Sequence, residues 1–343
     1  MTELRVVIAT PLSDELVEMI RTREPRLEIV HEPQLMAPAD PNWMKGHDRT
    51  AEEQTEYERL VDTAEALYGV PDQSGEALAR TVAANPKLKW VHTIPAGGGA
   101  QVRAAQLPDE ALERILFTTS AGVHAQPLAE FCVFGVMAGA KQLPWMQQEQ
   151  RAHRWGERRP FALLTETTVA VVGLGSIGRR VAELLKGLGC TVVGVHRREV
   201  DAAVDRIEPV EALADVFASV DAVVLSLPGT PVTEGMISRE VLERTKPGLT
   251  FVNVGRGTTV DEPALVEALR DGRVGLAVLD VTAVEPLPQD SPLWDLPNVV
   301  LAPHTAAISD HEPRLIAELF VENARRFLDG EEPLNRVNTD EFY

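Results

Sequence analysis

The chain is 343 residues long, 44% hydrophobic and 25% charged, and its formal net charge is −19 at pH 7. That length and apolar content suffice for two hydrophobic cores, and the acidic balance argues against nucleic acid or an anionic membrane as partner, since the leading electrostatic contribution to either would be repulsive. The longest strongly apolar run, residues 131–140, is too short to span a bilayer, no secretory leader precedes the first strand, and Cys132 and Cys190 have no metal or disulfide spacing, so a cytoplasmic protein with reduced thiols and no bound metal is expected.

In chain order, apolar β-branched runs alternate with helical patterns. A strand over Arg5–Ala9, a helix over Glu15–Arg23, a weaker strand over Leu27–Val30 and a helix over Ala51–Ala64 lead to short strands at Ala66–Val70, Trp90–Thr93 and Ile115–Thr118. Such alternation implies a parallel-sheet domain. Between them, Glu32–Arg49 carries three prolines and Gly46 and few apolar residues, which reads as a long surface loop at the edge of a cleft. This loop, the Ser74-Gly75 turn and Trp294 are candidates for lining a substrate pocket. Residues 129–147 read as one helix, apolar on most of its surface and running on toward Trp155, which must be buried in a core or against another subunit.

The middle of the chain carries its most informative motif. The run Thr168-Val-Ala-Val-Val empties into Gly173-Leu-Gly175-Ser-Ile-Gly178 and then into a helical pattern, followed by a strand over Thr191–Val195. Gly173 suits the tight turn, Gly175 lets backbone approach a pyrophosphate, and Gly178 lets the helix lie close on the strand; the free N–H groups of the helix start, at Ser176 and Ile177, then face the phosphates. A dinucleotide site is the reading this βαβ unit favours over a bare structural turn. Where an NAD site is expected to place a carboxylate at the end of its second strand, this chain has His196-Arg197-Arg198. Two guanidinium groups suit a 2′-phosphate, which favours NADP over NAD. The alternatives are that both arginines face solvent or that Glu199 folds back to the ribose.

Further strands are expected over Ala222–Leu227, Thr250–Val254, Val274–Leu279 and Val299–Leu301, and three of them end in polar residues. Arg256 stands between Gly255 and Gly257, where its planar fork suits a carboxylate unless it merely faces solvent. Asp280 is followed by Glu285-Pro286, and His304 lies among small residues. Each alone has a bland reading as a loop or structural residue; on strand ends of one nucleotide-binding sheet, an arginine, a carboxylate and a histidine match hydride transfer to a 2-oxo acid.

The segments Gly173–Gly178, Asn253-Val-Gly-Arg-Gly257, Gly275-Leu-Ala-Val-Leu-Asp280, Glu285-Pro-Leu287 and Pro297-Asn-Val-Val-Leu-Ala-Pro-His-Thr-Ala-Ala307, in this order, resemble the D-isomer-specific 2-hydroxyacid dehydrogenase family over nearly the whole chain. The resemblance implies an α/β fold of two doubly wound parallel-sheet domains, a Rossmann NAD(P)-binding domain (119–307) inserted into a flavodoxin-like substrate domain (1–118 plus 308–343). It implies Arg256, Glu285 and His304 as the catalytic set: Arg256 with the Gly97 and Gly98 amides on the substrate carboxylate, His304 as general acid and base, and Glu285 orienting its imidazole. Asp280 is implied at the nicotinamide carboxamide. The loop with Leu227, Pro228 and Thr233, in which Gly229 replaces a usual apolar residue, is implied along the cofactor, as are Val254, Gly255 and Ala306. The resemblance further implies a homodimer through the 129–155 region. The expected activity is reduction of a small 2-oxo acid to the D-2-hydroxy acid, or the reverse. Competing readings are a phosphite- or phosphoglycerate-type dehydrogenase and a non-catalytic, corepressor-like sensor of nicotinamide nucleotides. No basic residue in the Val70–Gly75 loop supports phosphite, and the chain ends at Tyr343, where phosphoglycerate enzymes often carry a regulatory domain.

Overall fold

The computed structural model describes residues 4–36, 49–340 and 342. In chain order it runs β1 (Leu4–Ile8), α1 (Asp14–Arg23), β2 (Leu27–Val30), α2 (Ala51–Val61), β3 (Ala66–Tyr68), α3 (Gly75–Ala84), β4 (Trp90–Thr93), α4 (Gly99–Ala104), α5 (Asp109–Arg114), β5 (Leu116–Thr119), α6 (Ala125–Ala140) and α7 (Leu143–Arg151). It continues with β6 (Thr168–Val172), α8 (Ser176–Gly187), β7 (Thr191–Val195), β8 (Arg206–Glu208), α9 (Leu213–Ser219), β9 (Ala222–Leu225), α10 (Arg239–Glu243), β10 (Leu249–Asn253), α11 (Glu262–Arg270), β11 (Val274–Leu279), β12 (Val299–Leu301) and α12 (Glu312–Asp329). Two compact units result: the chain up to His124 together with Ser309 onward, and Ala125–Ile308.

The first unit is a parallel sheet in the order β2-β1-β3-β4-β5, the doubly wound order whose strand direction of addition reverses between β1 and β3. Helix starts are written locally. The Ser13 side chain caps α1, with Asp14 and Glu15 in the first turn and Arg21 and Arg23 in the last, and Thr50 with Glu53 forms a capping box on α2, each arrangement meeting free N–H groups or the helix dipole. Of the loop expected over residues 32–49, positions 37–48 lie outside the described residues. At its two ends Leu35 and Met36 are buried, and the Arg49 guanidinium lies 3.7 Å over the Tyr57 ring while donating to the Leu35 carbonyl and Asp72 carboxylate, both at 2.6 Å.

The long helix α12 completes this unit. Phe320 stacks on Trp90 at 4.7 Å and Phe327 at 5.7 Å, and the Trp90 indole N–H donates to Thr118 Oγ1 at 2.9 Å. Arg26 ties the helix end to the opposite side of the sequence, donating to Glu24 and Asp329. The Arg26 guanidinium holds both carboxyls below the usual carboxylate range.

The second unit is a parallel sheet in the order β12-β11-β10-β9-β6-β7-β8. Its strand addition reverses between β6 and β9, so the crevice for a ligand opens beyond the carboxyl end of β6. The inner strands β6, β9, β10 and β11 are buried on both faces, as parallel sheets require, whereas the edge strands β8 and β12 are partly exposed. The helix expected over residues 129–147 is corrected: α6 begins earlier, at Ala125, and ends at Ala140; Gln142, left-handed at φ 53°, separates it from α7. Pro144 has no N–H for a continuing helix and its ring disfavours helical backbone before it. One face of α6, including Cys132, Gly135 and Val136, lies on the sheet, so close that a Cβ on Gly139 would meet Thr250 Oγ1 at 1.8 Å. Its other face leaves Phe134 and Met137 exposed, followed by Met146, Trp155, Phe161 and Leu163. A cavity of about 530 Å³ at the amino-terminal edge of this sheet, lined by Gly139, Trp145, Lys246 and Thr250 among others, is remote from the strand ends that carry the polar residues. Among the described residues no helix is long and apolar enough to cross a membrane.

Candidate active site

The glycine turn follows β6 directly. Gly173 is left-handed at φ 93°, and a Cβ on Gly178 would lie 1.9 Å from the Gly173 carbonyl oxygen, so only glycine lets α8 start this close to the strand. A Cβ on Gly175 would meet nothing within 4 Å. The open side of the turn therefore lies over the start of α8, at Ser176 and Ile177, where free N–H groups and the helix dipole favour an anion. Ser226, just past β9, donates its hydroxyl to the Gly173 carbonyl at 2.9 Å and fixes the turn from the neighbouring strand. This arrangement fits the diphosphate of a dinucleotide.

At the end of β7 the His196 N–H donates to the Glu208 carbonyl at 3.1 Å, and its Nδ1 lies 2.9 Å from the Arg198 carbonyl oxygen. The imidazole is spent on its own turn. Arg197 and Arg198 are exposed, and no carboxylate among the described residues pairs with either. The local charge is therefore free to meet a phosphate.

The catalytic candidates are gathered by close backbone approaches. A Cβ on Gly255 would lie 2.5 Å from the Leu227 carbonyl oxygen, and one on Gly257 1.9 Å from the Thr282 carbonyl carbon, so these two glycines bring the loops after β9, β10 and β11 into contact. Gly229 sits against the Arg256 side chain, where a Cβ would be 3.1 Å from its Cγ. Arg256 itself is exposed, donates Nη1 to the Gly255 carbonyl at 2.7 Å and has no carboxylate partner among the described residues. The Thr282 N–H donates to Glu285 Oε1 at 3.1 Å, and Glu285 Oε2 accepts from His304 Nδ1 at 2.7 Å. The pair is solvent-facing, the two side chains being 48% and 37% exposed. With Nδ1 engaged, Nε2 is the ring atom left to exchange a proton with a ligand.

Other expected residues take less direct places. The Thr233 hydroxyl is turned into its own loop, donating to the Pro228 carbonyl at 2.6 Å, with Pro228 exposed. Val254 and Gly255 are buried just beyond β10, and the Ala306 N–H donates to Asp280 Oδ1 at 2.9 Å. Trp294 is exposed, its indole N–H on the Pro288 carbonyl at 2.9 Å. Gly97 and Gly98 belong to the first unit, in the turn after β4. The Gly98 N–H is donated to the Pro95 carbonyl at 3.1 Å, whereas a Cβ on Gly97 would meet nothing within 4 Å. Sequence alone assigns no role of its own to Ser226, the first residue of the loop expected along the cofactor, or to Asn253, whose side chain spans the Arg256 turn. Their signal was position, a polar residue at a strand end where an apolar one would serve the sheet. Among the described residues no three His, Cys, Asp or Glu gather as a metal site.

Residues 133–306 match the family described as D-isomer specific 2-hydroxyacid dehydrogenase, NAD binding domain. The chain is 33% identical over 302 residues to a D-3-phosphoglycerate dehydrogenase of Mycobacterium leprae, covering 87% of this chain and 54% of that protein. It is 36% identical to a glyoxylate reductase of Korarchaeum cryptofilum, covering 67% of this chain and 72% of that one. The chain thus spans about half the length of the phosphoglycerate dehydrogenase it matches. A D-isomer specific 2-hydroxyacid dehydrogenase from Xanthobacter autotrophicus Py2, solved in complex with NADPH and MES, superposes with a TM-score of 0.77 at 32% identity, covering 99% of this chain and all of that one.

Proposed function

The chain belongs to the D-isomer-specific 2-hydroxyacid dehydrogenase family, and we propose that it reduces a small 2-oxo acid to the D-2-hydroxy acid with a nicotinamide dinucleotide, NADPH in preference to NADH. The observation that carries this reading is the 2.7 Å His304–Glu285 pair and, past the neighbouring strand β10, an Arg256 with no carboxylate partner among the described residues, in the same sheet as an open glycine turn.

Arg256 binds and orients the substrate carboxylate through its planar fork. When bound, the nicotinamide supplies the hydride that the carbonyl carbon accepts. His304, protonated, gives its Nε2 proton to the carbonyl oxygen, while Glu285 accepts from Nδ1 and fixes the ring plane. In the oxidative direction the same Nε2 takes the hydroxyl proton. The cofactor is assigned to Gly173, Gly175, Ser176, Ile177 and Gly178 at its diphosphate, with Leu227, Pro228, Thr233, Val254, Gly255 and Ala306 along its length. Arg197 and Arg198 are assigned to a 2′-phosphate, and the Xanthobacter relative's NADPH supports that choice. The exposed apolar face of α6 and the residues after it support a homodimer.

The test is steady-state reduction of a panel of 2-oxo acids with each cofactor. Wild type should use NADPH more efficiently, and Arg197→Ala with Arg198→Ala should remove most of that preference, since each charge-assisted pair contributes about 1.5–3 kcal/mol. A wild-type preference for NADH would leave the arginines as solvated surface groups and contradict the cofactor assignment.

A further inference from the structure

We propose that Asn253 and Asp280 are positioning residues that set the backbone of Arg256 and His304 for the reaction proposed above, on which this inference rests. Asn253 is the last residue of β10 and Asp280 follows β11; they are 1% and 2% exposed. The Asp280 carbonyl accepts the His304 N–H at 2.9 Å, and its Oδ1 accepts the N–H groups of Thr305 at 2.8 Å and Ala306 at 2.9 Å. Three successive amides of one turn thus converge on a single residue. The turn holds His304 at φ 53°, a left-handed conformation that is costly for a residue with a Cβ and persists only where its surroundings over-determine it.

Asn253 does the same for Arg256. Its Oδ1 accepts the Gly255 N–H at 3.0 Å, and its Nδ2 donates to the Arg256 carbonyl at 3.3 Å. The two clamps are joined, because the Asp280 N–H donates to the Asn253 carbonyl at 3.0 Å. A carboxylate and an amide in a sheet interior are expensive unless they are hydrogen-bonded, and Asp280 Oδ1 and both polar atoms of the Asn253 side chain are engaged by the backbone of the two loops that bear the reacting side chains. No cation among the described residues forms an ion pair with Asp280. Glu285 therefore holds the His304 ring while Asp280 holds its backbone, and loss of either leaves the other unable to fix Nε2 alone.

The test uses the full chain with Asp280→Ala, Asp280→Asn and Asn253→Ala. NADPH affinity is read by fluorescence titration, kcat and KM with the 2-oxo acid that wild type turns over best, and amide hydrogen exchange over residues 301–308. Asp280→Ala should lower kcat ~100-fold, the cost of a misplaced reacting group, with KM for the 2-oxo acid changed less than about threefold and protection over the 301–308 segment lost in the cofactor-free protein. Asp280→Asn, which keeps a carbonyl oxygen for both amides, should recover about tenfold or more of that loss. Asn253→Ala should instead raise KM for the 2-oxo acid about tenfold, through Arg256, with a smaller change in kcat. The proposal is overturned if Asp280→Asn is as impaired as Asp280→Ala, or if exchange over 301–308 is unchanged in the cofactor-free protein. A wild type that binds NADPH but reduces no 2-oxo acid defeats the functional reading instead, and the exchange measurement still judges the clamp.

Discussion

Glu285 acts at one atom, and that makes its role measurable. Its Oε2 takes the His304 Nδ1–H at 2.7 Å while its Oε1 is tied to the Thr282 N–H, so Glu285→Gln keeps the shape and removes the charge. The amide no longer secures the ring as the carboxylate does, so Glu285→Gln should lower kcat/KM for reduction by up to about 100-fold, the cost of a loosely placed reacting group, with NADPH affinity changed little. Wild-type kcat/KM in that variant would make Glu285 a loop carboxylate only. Arg256, Glu285 and His304 could be singled out because they stand at strand ends of one nucleotide-binding sheet and in segments ordered as in one family, although each alone reads equally as a loop or structural residue; the structure brings Glu285 and His304 together. The hydrogen bonds that hold the Arg256 and His304 turns were not legible, since two amides donating to Asp280 Oδ1 from some twenty-five residues away leave no local pattern.

Elements whose period was strong were read almost to the residue: β4, β7, β11 and β12 coincide with the expected strands. The strand after β7, Arg206–Glu208, has one partly buried apolar residue and escaped notice. Helix α12 was treated only as a tail, because its place is decided by Trp90, far away in sequence. The same element set carries a pH effect. On β4, His92 is fully buried between Thr118 Oγ1 at 2.9 Å and Ser120 Oγ at 3.2 Å, and burial pushes its imidazole down to about 3. Its folded value lies below the unfolded one of about 6.5, so in that interval the unfolded chain binds a proton that the folded chain refuses. Stability of the first unit should therefore be intact above that window and fall as pH drops into it, by up to about 1.4 kcal/mol per pH unit. His31, also lowered by burial, contributes in the same sense. In urea melts compared between about pH 7.5 and pH 5, His92→Asn should flatten the dependence relative to wild type. An equal slope in the two proteins would show that His92 does not titrate in this way.

At the scale of the molecule, the division into two doubly wound sheets was legible because alternation of strand and helix persists on both sides of the glycine turn. The helix break at Gln142 was not, since the apolar composition continues through it. Phe134, Met137, Met146 and Trp155 are large apolar side chains left exposed on α6 and the residues after it, the kind of surface that a second copy of the chain covers in an oligomer. Light scattering at micromolar concentration should accordingly report twice the mass of one chain, and Phe134→Glu with Met137→Lys should shift it toward the single-chain mass. A wild type at 37.5 kDa would contradict the dimer. In the proposed reaction His304 delivers the proton that accompanies hydride transfer, and single-turnover oxidation of pre-bound NADPH by a 2-oxo acid in wild type and His304→Gln, with cofactor affinity measured alongside, reads that step alone. The transfer rate should fall about 10²–10⁴-fold with cofactor affinity nearly unchanged; transfer at close to the wild-type rate would show that His304 is not the acid.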